Sequence, residues 1–183
     1  MKLPPMIAEP SPPSVDCPEP HLWKAFDCFS TEFEVIQFLM YLTRAIKPKY
    51  VVETGTCFAY TTNAIATAME RGRIVTCDPE KQWIQLHERA IYLHCKSLEV
   101  IPEESIDLLF LDSLPELRVS EYFHFKPYLS SRAVVAIHDA GASHPELRAE
   151  IEKLIPHELN GIFLPTPRGL FIGRPTHSCP TEI

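Results

Sequence analysis

Four acidic side chains, Glu53, Asp78, Asp112 and Asp139, each stand at the carboxyl end of an apolar run: Tyr50-Val51-Val52, 73–77, 106–111 and 133–137. In an open α/β sheet the ligand site lies at the carboxyl ends of the strands, so acids at four such ends converge on one crevice. Any one of them could be an ordinary solvated loop acid; four together are not what a random surface distribution gives. Gly55 follows the first run directly and lets the backbone come close to a ligand at the amino end of the next helix. Asp78, 23 residues beyond Gly55, sits where a carboxylate accepts hydrogen bonds from both hydroxyls of a ribose. His138, beside Asp139, carries the side-chain type whose ordinary pKa of about 6.5 suits proton removal near neutrality.

The turn itself restricts the ligand. A dinucleotide fingerprint needs Gly-x-Gly-x-x-Gly to admit a pyrophosphate. Here Gly55 is followed by Thr56-Cys57-Phe58-Ala59-Tyr60, with no second or third glycine. A turn this bulky disfavours a pyrophosphate.

The elements that must position these residues follow from periodicity. Thr31 with Glu34 reads as a capping box; Val35, Phe38, Leu39, Leu42 and Ile46 follow at helical spacing and Pro48 closes the helix. Further helices are expected from about Thr61 to Arg71, over 81–92, near 116–126, and from Ser143 with Glu146 as its cap to about Ile155. Two β-like runs, 161–164 and 169–173, joined by Pro-Thr-Pro, finish the chain. Strands alternating with helices make βαβ units and a mainly parallel sheet, and strands apolar throughout suit a sheet covered on both faces.

Length and composition bound the rest. A chain of 183 residues is one ordinary domain, and 45% hydrophobic with 22% charged residues is a globular mix. Residues 1–20 hold seven of the 18 prolines and show no periodicity, so they read as an extended or disordered arm, with a flap over an active site as the functional alternative. The folded domain is expected over 21–175, with a short tail over 176–183. No apolar stretch reaches the ~20 residues of a membrane helix, and Met1-Lys2-Leu3-Pro4-Pro5 lacks the apolar region of a secretory signal, which leaves a cytoplasmic setting as the expectation. A net charge of −7 is poorly suited to a phosphate backbone, so a small molecule is expected as partner rather than a nucleic acid. The six cysteines form no Cys-x-x-Cys pair and read as reduced, mostly structural thiols.

Taken in order, Glu53-Thr54-Gly55-Thr56 with Thr61-Thr62, then Thr76-Cys77-Asp78, 106–113 and Ala136-Ile137-His138-Asp139 resemble the class I S-adenosylmethionine-dependent methyltransferases, and within them the compact macrocin O-methyltransferase and cephalosporin hydroxylase-like branch. The resemblance spans about 33–173. It implies an α/β, Rossmann-like three-layer sandwich with a mostly parallel seven-stranded sheet and an antiparallel strand near the carboxyl terminus. It also implies S-adenosylmethionine as cofactor: Glu53, Gly55, Thr56, Ala59 and Thr61 around the methionine part, Asp78 and Pro79 at the ribose, Ser97 against the adenine, and Asp112 next to the transferring methyl. Ala59 stands where the family turn has its second glycine, a place an alanine fills if its backbone angles are ordinary.

Oxygen-directed relatives in this fold often use a divalent ion that lowers the acceptor hydroxyl's pKa. Asp112, His138 and Asp139 match the positions of metal ligands there, so Asp112 and Asp139 are expected as a partial shell for magnesium, with His138 better suited to manganese or iron. A metal-free version makes His138 the general base, and a structural role at the strand end stays open beside both. The implied activity is methyl transfer to a small-molecule acceptor, through a hydroxyl oxygen. A cofactor-binding domain without catalysis is the alternative, and an NAD-dependent reductase is disfavoured by the glycine-poor turn and by the lack of a Tyr-x-x-x-Lys base. The substrate cap must come from the arm, the first helix, the loop after Asp112 or a neighbouring subunit, which leaves a homo-oligomer open.

Overall fold

The computed structural model describes residues 4–83 and 85–176. The elements are β1 (Ile7–Ala8), β2 (Lys24–Ala25), α1 (Phe33–Ile46), β3 (Tyr50–Thr54), α2 (Tyr60–Ala68), β4 (Arg73–Cys77), β5 (Ala90–Leu93), β6 (Ile106–Leu111), α3 (Arg118–Phe125), β7 (Leu129–His138), α4 (Pro145–Leu154), β8 (Leu159–Leu164) and β9 (Leu170–Pro175). Seven strands form one sheet in the order β5-β4-β3-β6-β7-β9-β8. The first five are parallel, and β9 runs antiparallel between β7 and β8.

Alternation along the strands divides the core. Val52, Leu109, Leu111, Val135 and Ile137 face α3 and α4 through Tyr122, Phe125, Ile151 and Leu154. Val51, Leu108, Phe110, Val134 and Ala136 face α1 and α2 through Val35, Leu39, Ile65 and Ala66. Successive residues point to opposite faces, so strands buried on both sides read as continuous apolar runs. The result is the three-layer, Rossmann-like sandwich expected from the resemblance. No helix among the described residues is long and apolar enough to cross a membrane.

Three local expectations are corrected. Residues 81–92 do not form a helix: the described residues up to Arg89 are irregular and Ala90–Leu93 is the edge strand β5, paired in parallel with Ile74–Cys77. The Asp78 carboxylate accepts the Glu80 N–H and the Tyr92 hydroxyl donates to the Asp78 carbonyl, so tertiary pairing wins over local periodicity. The Thr31–Glu34 capping box is not made. Glu32 occupies the N-cap position without a side-chain cap bond, the Thr31 hydroxyl donates to Asp112 Oδ2, and Glu34 accepts the Lys24 N–H. In α4 the N-cap is His144 rather than Ser143, with Pro145 at the first helical position, where a missing N–H costs nothing.

The proline-rich segment lies extended along the body. β1 pairs with β2, the buried Glu9 carboxylate takes Arg168, and Asp16 accepts from Arg148 and the Ala142 N–H. The tail lies outside the described residues beyond Thr176.

Candidate active site

The strand order reverses between β3 and β6, the topological switch point where a crevice opens at the carboxyl ends of an open sheet. Gly55, at φ +83°, turns the chain out of β3, and a Cβ built there would lie 2.2 Å from the Asp112 carbonyl oxygen. Only glycine allows that approach of β3 to β6. Its N–H donates to the Cys77 carbonyl (2.9 Å).

Cys57 and Ala59 also have positive φ, at 44° and 63°. The alanine angles are therefore not ordinary, against expectation, and an L-residue in that region costs about 1–2 kcal/mol. Tertiary structure holds the turn in place. Thr56 and Thr76 hydroxyls share a 2.7 Å bond, and the Cys57 N–H donates to Asp78 Oδ2 (3.0 Å).

Gly55, Thr56, Ala59, Thr61 and Asp112 line one gap of about 40 Å³ together with Phe29 and Thr31. Thr61 donates to Thr31 (3.2 Å), which donates to Asp112 Oδ2 (2.7 Å), so the segment before α1 is latched over the glycine turn. Glu53 does not line this gap. It is buried beneath the turn, where the Thr62 hydroxyl donates to it, and burial pushes its carboxyl up to about 8. The Pro79 carbonyl accepts from His94 Nε2 (2.8 Å), and Ser97 is buried at the start of a short 3-10 turn after β5.

Asp112, His138 and Asp139 do come together: one ligand-type atom from each lies within 4.8 Å of the others. Asp139, at φ 55°, folds its carboxylate back toward the sheet end. Two residues unmarked by the sequence reading complete the cluster. Arg118, 1% exposed at the start of α3, donates through Nη2 to Asp139 Oδ2 (2.7 Å), Asp112 Oδ1 (3.2 Å) and the Ser113 carbonyl (2.7 Å), and through Nη1 to the His138 carbonyl. Glu32, fully buried, accepts from His138 Nε2 (2.5 Å) and the Arg168 N–H (3.0 Å). His138 Nδ1 donates to Asp112 Oδ1 (2.8 Å).

The electrostatics follow from that packing. Burial opposes a charge on His138, but Asp112, Asp139 and Glu32 together outweigh it and hold its pKa well above the usual imidazole value. Burial would raise Asp139, yet His138 and Arg118 pull it down to about 2. Glu32 is lowered likewise, since His138 overrides its burial. The cysteines beside the turn are inert: burial pushes the Cys57 thiol to about 11 and Cys77 higher still, far from the thiolate a nucleophile needs.

On the far side of Asp139 lies an open cavity of about 460 Å³, walled by Pro10 and Pro12 of the arm, Phe29, Pro115, His144 and Arg168. Asp139 Oδ1 is buried at its edge without a hydrogen-bond partner, 3.8 Å from His144 Nε2. The histidine that lines this cavity is His144, which nothing in the sequence singled out. Four strand-end acids do demand counter-charge, and the first basic residue after Asp112 is Arg118.

No protein-family profile and no curated protein matches this chain. Solved structures do. The O-methyltransferase TomG from Streptomyces achromogenes, involved in tomaymycin synthesis and solved with SAM, superposes at TM-score 0.69 with 16% identity over 81% of this chain and 82% of its own. A methyltransferase from Geobacter sulfurreducens gives 0.69 and 17% over 81% and 82%. The O-methyltransferase from Bacillus cereus, in complex with SAH, gives 0.65 and 14% over 80% and 83%. The chain has the methyltransferase fold. At these identities the likeness is one of architecture, and the chemistry rests on the residues.

Proposed function

We propose that this protein transfers a methyl group from S-adenosylmethionine to a hydroxyl oxygen of a small molecule. The observation that carries this is charge. Glu32, Asp112 and Asp139 pack against His138 and Arg118, while the neighbouring Arg168 is paired with Glu9, so with His144 uncharged the cluster holds one negative charge in excess. A buried unbalanced charge is costly, and a cationic ligand at the glycine turn restores neutrality. A sulfonium nucleoside with an ammonium group is such a ligand.

The residues fit it. Gly55, Thr56, Ala59 and Thr61 offer the turn and its hydroxyls to the methionine end, with Glu53 beneath them and Asp112 on the opposite wall. Asp78 keeps lone pairs free beyond its bonds to the Cys57 and Glu80 N–H groups and can accept from a ribose. Pro79 and Ser97 border the path toward the adenine in this arrangement. The gap of about 40 Å³ is smaller than a methionine side chain, so entry requires the Thr31 latch to open.

When bound, the cofactor supplies an electrophilic methyl for in-line displacement. The chain's own part is alignment and proton removal. Positioning of this kind contributes roughly 7–11 kcal/mol in favourable intramolecular reactions. The 460 Å³ cavity holds the acceptor against Pro10, Pro12 and Phe29, within the size range of small-molecule sites. Asp139, at the cavity edge, must swing its buried Oδ1 outward to orient the acceptor hydroxyl and take its proton. A carboxylate held near 2 is a weak base toward an alcohol, but a methylated oxonium is far more acidic than any carboxylic acid, so a proton lost as the O–C bond forms goes to Asp139 and on to His144. His138, with both ring nitrogens donating to carboxylates, holds Asp112 and Glu32 in place instead of acting as base.

A thermal-shift titration with S-adenosylhomocysteine tests the cofactor assignment. A ligand that binds only the folded state adds RT ln(1 + [L]/Kd), about 2.7 kcal/mol at a hundredfold excess over Kd. Asp78→Ala should abolish most of that gain. Stabilisation by NAD(H) and not by the adenosyl compound would overturn the proposal.

A further inference from the structure

We propose that the Arg118 guanidinium is the resident cation of this crevice, occupying the role that a divalent ion would have between Asp112, His138 and Asp139. The mechanistic meaning of this rests on the methyl-transfer proposal, but the binding property does not.

The donor set decides it. A metal-ligating histidine must offer a lone pair from a neutral ring. Neither nitrogen of His138 has one to give: Nδ1 faces Asp112 Oδ1 at 2.8 Å and Nε2 faces Glu32 Oε2 at 2.5 Å. Asp112 Oδ1 already accepts from both His138 and Arg118, and its Oδ2 accepts from Thr31. Asp139 Oδ2 accepts from Arg118 at 2.7 Å. One oxygen, Asp139 Oδ1, is left without a hydrogen bond, 3.5 Å from His138 Nδ1 and 3.8 Å from His144 Nε2. A single carboxylate oxygen is a poor anchor for magnesium or manganese, which take several oxygen ligands.

The guanidinium also excludes a metal by its charge. Arginine stays protonated under all ordinary conditions, and Arg118 is buried with both of its terminal nitrogens engaged. A dication placed among these three side chains would sit against a fixed positive charge that cannot turn out to solvent. Arg118 arrives there because the Pro115–Leu117 turn comes only three residues after β6 and leads straight into α3. The arginine performs the electrostatic part of a metal's work, pinning the carboxylates that follow β6 and β7 in one orientation, and leaves only Asp139 Oδ1 without a hydrogen bond.

The test is a manganese titration of the full-length protein, followed by the electron-paramagnetic signal of free Mn²⁺, with and without saturating S-adenosylhomocysteine. Wild-type protein should bind no Mn²⁺ more tightly than millimolar in either state, and chelator treatment should leave the thermal shift induced by S-adenosylhomocysteine unchanged. Arg118→Met should gain Mn²⁺ affinity by at least about tenfold, because Asp112 and Asp139 lose their internal counter-charge. One equivalent of Mn²⁺ bound at micromolar concentration by wild type, and lost in Asp139→Asn, would overturn the proposal. A folded Arg118→Met protein that gains no affinity would overturn it too. Should that variant not fold, the wild-type titration with its Asp139→Asn control decides alone. Failure to bind S-adenosylhomocysteine would count against the cofactor assignment and leave the manganese result standing.

Discussion

Replacing Glu53 by glutamine should make the protein more stable at neutral and higher pH. Glu53 is 1% exposed in the middle of the sheet, and beyond that burial the charges of Asp112 and Asp78, which have its own sign, also push its carboxyl up. Its carboxyl therefore titrates at about 8 in the fold, against 4.5 when unfolded. A carboxyl raised in this way contributes its full stability below pH 4.5 and loses it as the pH rises through about 8. At pH 7 the unfolded chain has released a proton that the fold retains, across roughly 2.5 pH units at about 1.36 kcal/mol each, so the cost is on the order of 3 kcal/mol. That is a large share of the ~5–15 kcal/mol that holds a domain together. Glutamine keeps the shape, still accepts from Thr62, and does not titrate. Urea unfolding of both proteins from about pH 5 to about pH 8.5 should show wild-type stability falling across the range while the variant stays level, once titrations common to both are subtracted. A difference between the two that is independent of pH would refute the reasoning, since it would mean Glu53 is ionised in the folded protein.

Gly55→Ala should cost about 2–5 kcal/mol, combining a left-handed backbone with a Cβ driven into the Asp112 carbonyl, and lower the melting temperature by roughly 5–15 °C; an unchanged melting temperature would show that the β3–β6 approach is looser than described. Glu9→Ala should leave the nearly buried Arg168 guanidinium without its carboxylate and cost about 2–4 kcal/mol in urea unfolding. Loss of less than about 0.5 kcal/mol would show that the arm is not docked through this pair.

What could be read from the chain was whatever its local periodicity controls. Runs such as Ile106–Leu111 are apolar on both faces, Asp107 excepted, because both faces are covered, and that alone places Asp112 and Asp139 at one edge. The seventh strand was hidden. Ala90–Leu93 is an edge strand with Ile91 exposed, and its conformation comes from pairing with β4. Thr31 and Glu32 illustrate a second limit. Beside an amphipathic helix they look like helix-start residues, yet their side chains bond Asp112 and His138, at sequence separations of 81 and 106. Arg118 carried only the weak signal of being the first basic residue after Asp112, because a charged residue in a short helix is usually solvated and only the closed crevice shows that it is buried.

The ties made by Glu32 and Arg168 bear on the order in which a ribosome can complete this protein. Glu32 leaves the exit tunnel early, but its partners are His138 and the Arg168 N–H; Arg168 in turn reaches back to Glu9 and to the Cys28 carbonyl. Sequence separations of 106, 136 and 159 cannot close during synthesis of the first four sheet strands. Nascent chains can pair β3, β4, β5 and β6 while the amino end of α1 still keeps its carboxylate in water, since burying it without a cation is prohibitively expensive. The crevice at the strand ends is then the last part of the molecule to close, sealed when the β8–β9 turn emerges, and a chain stalled before residue 168 carries a sheet whose crevice is still open.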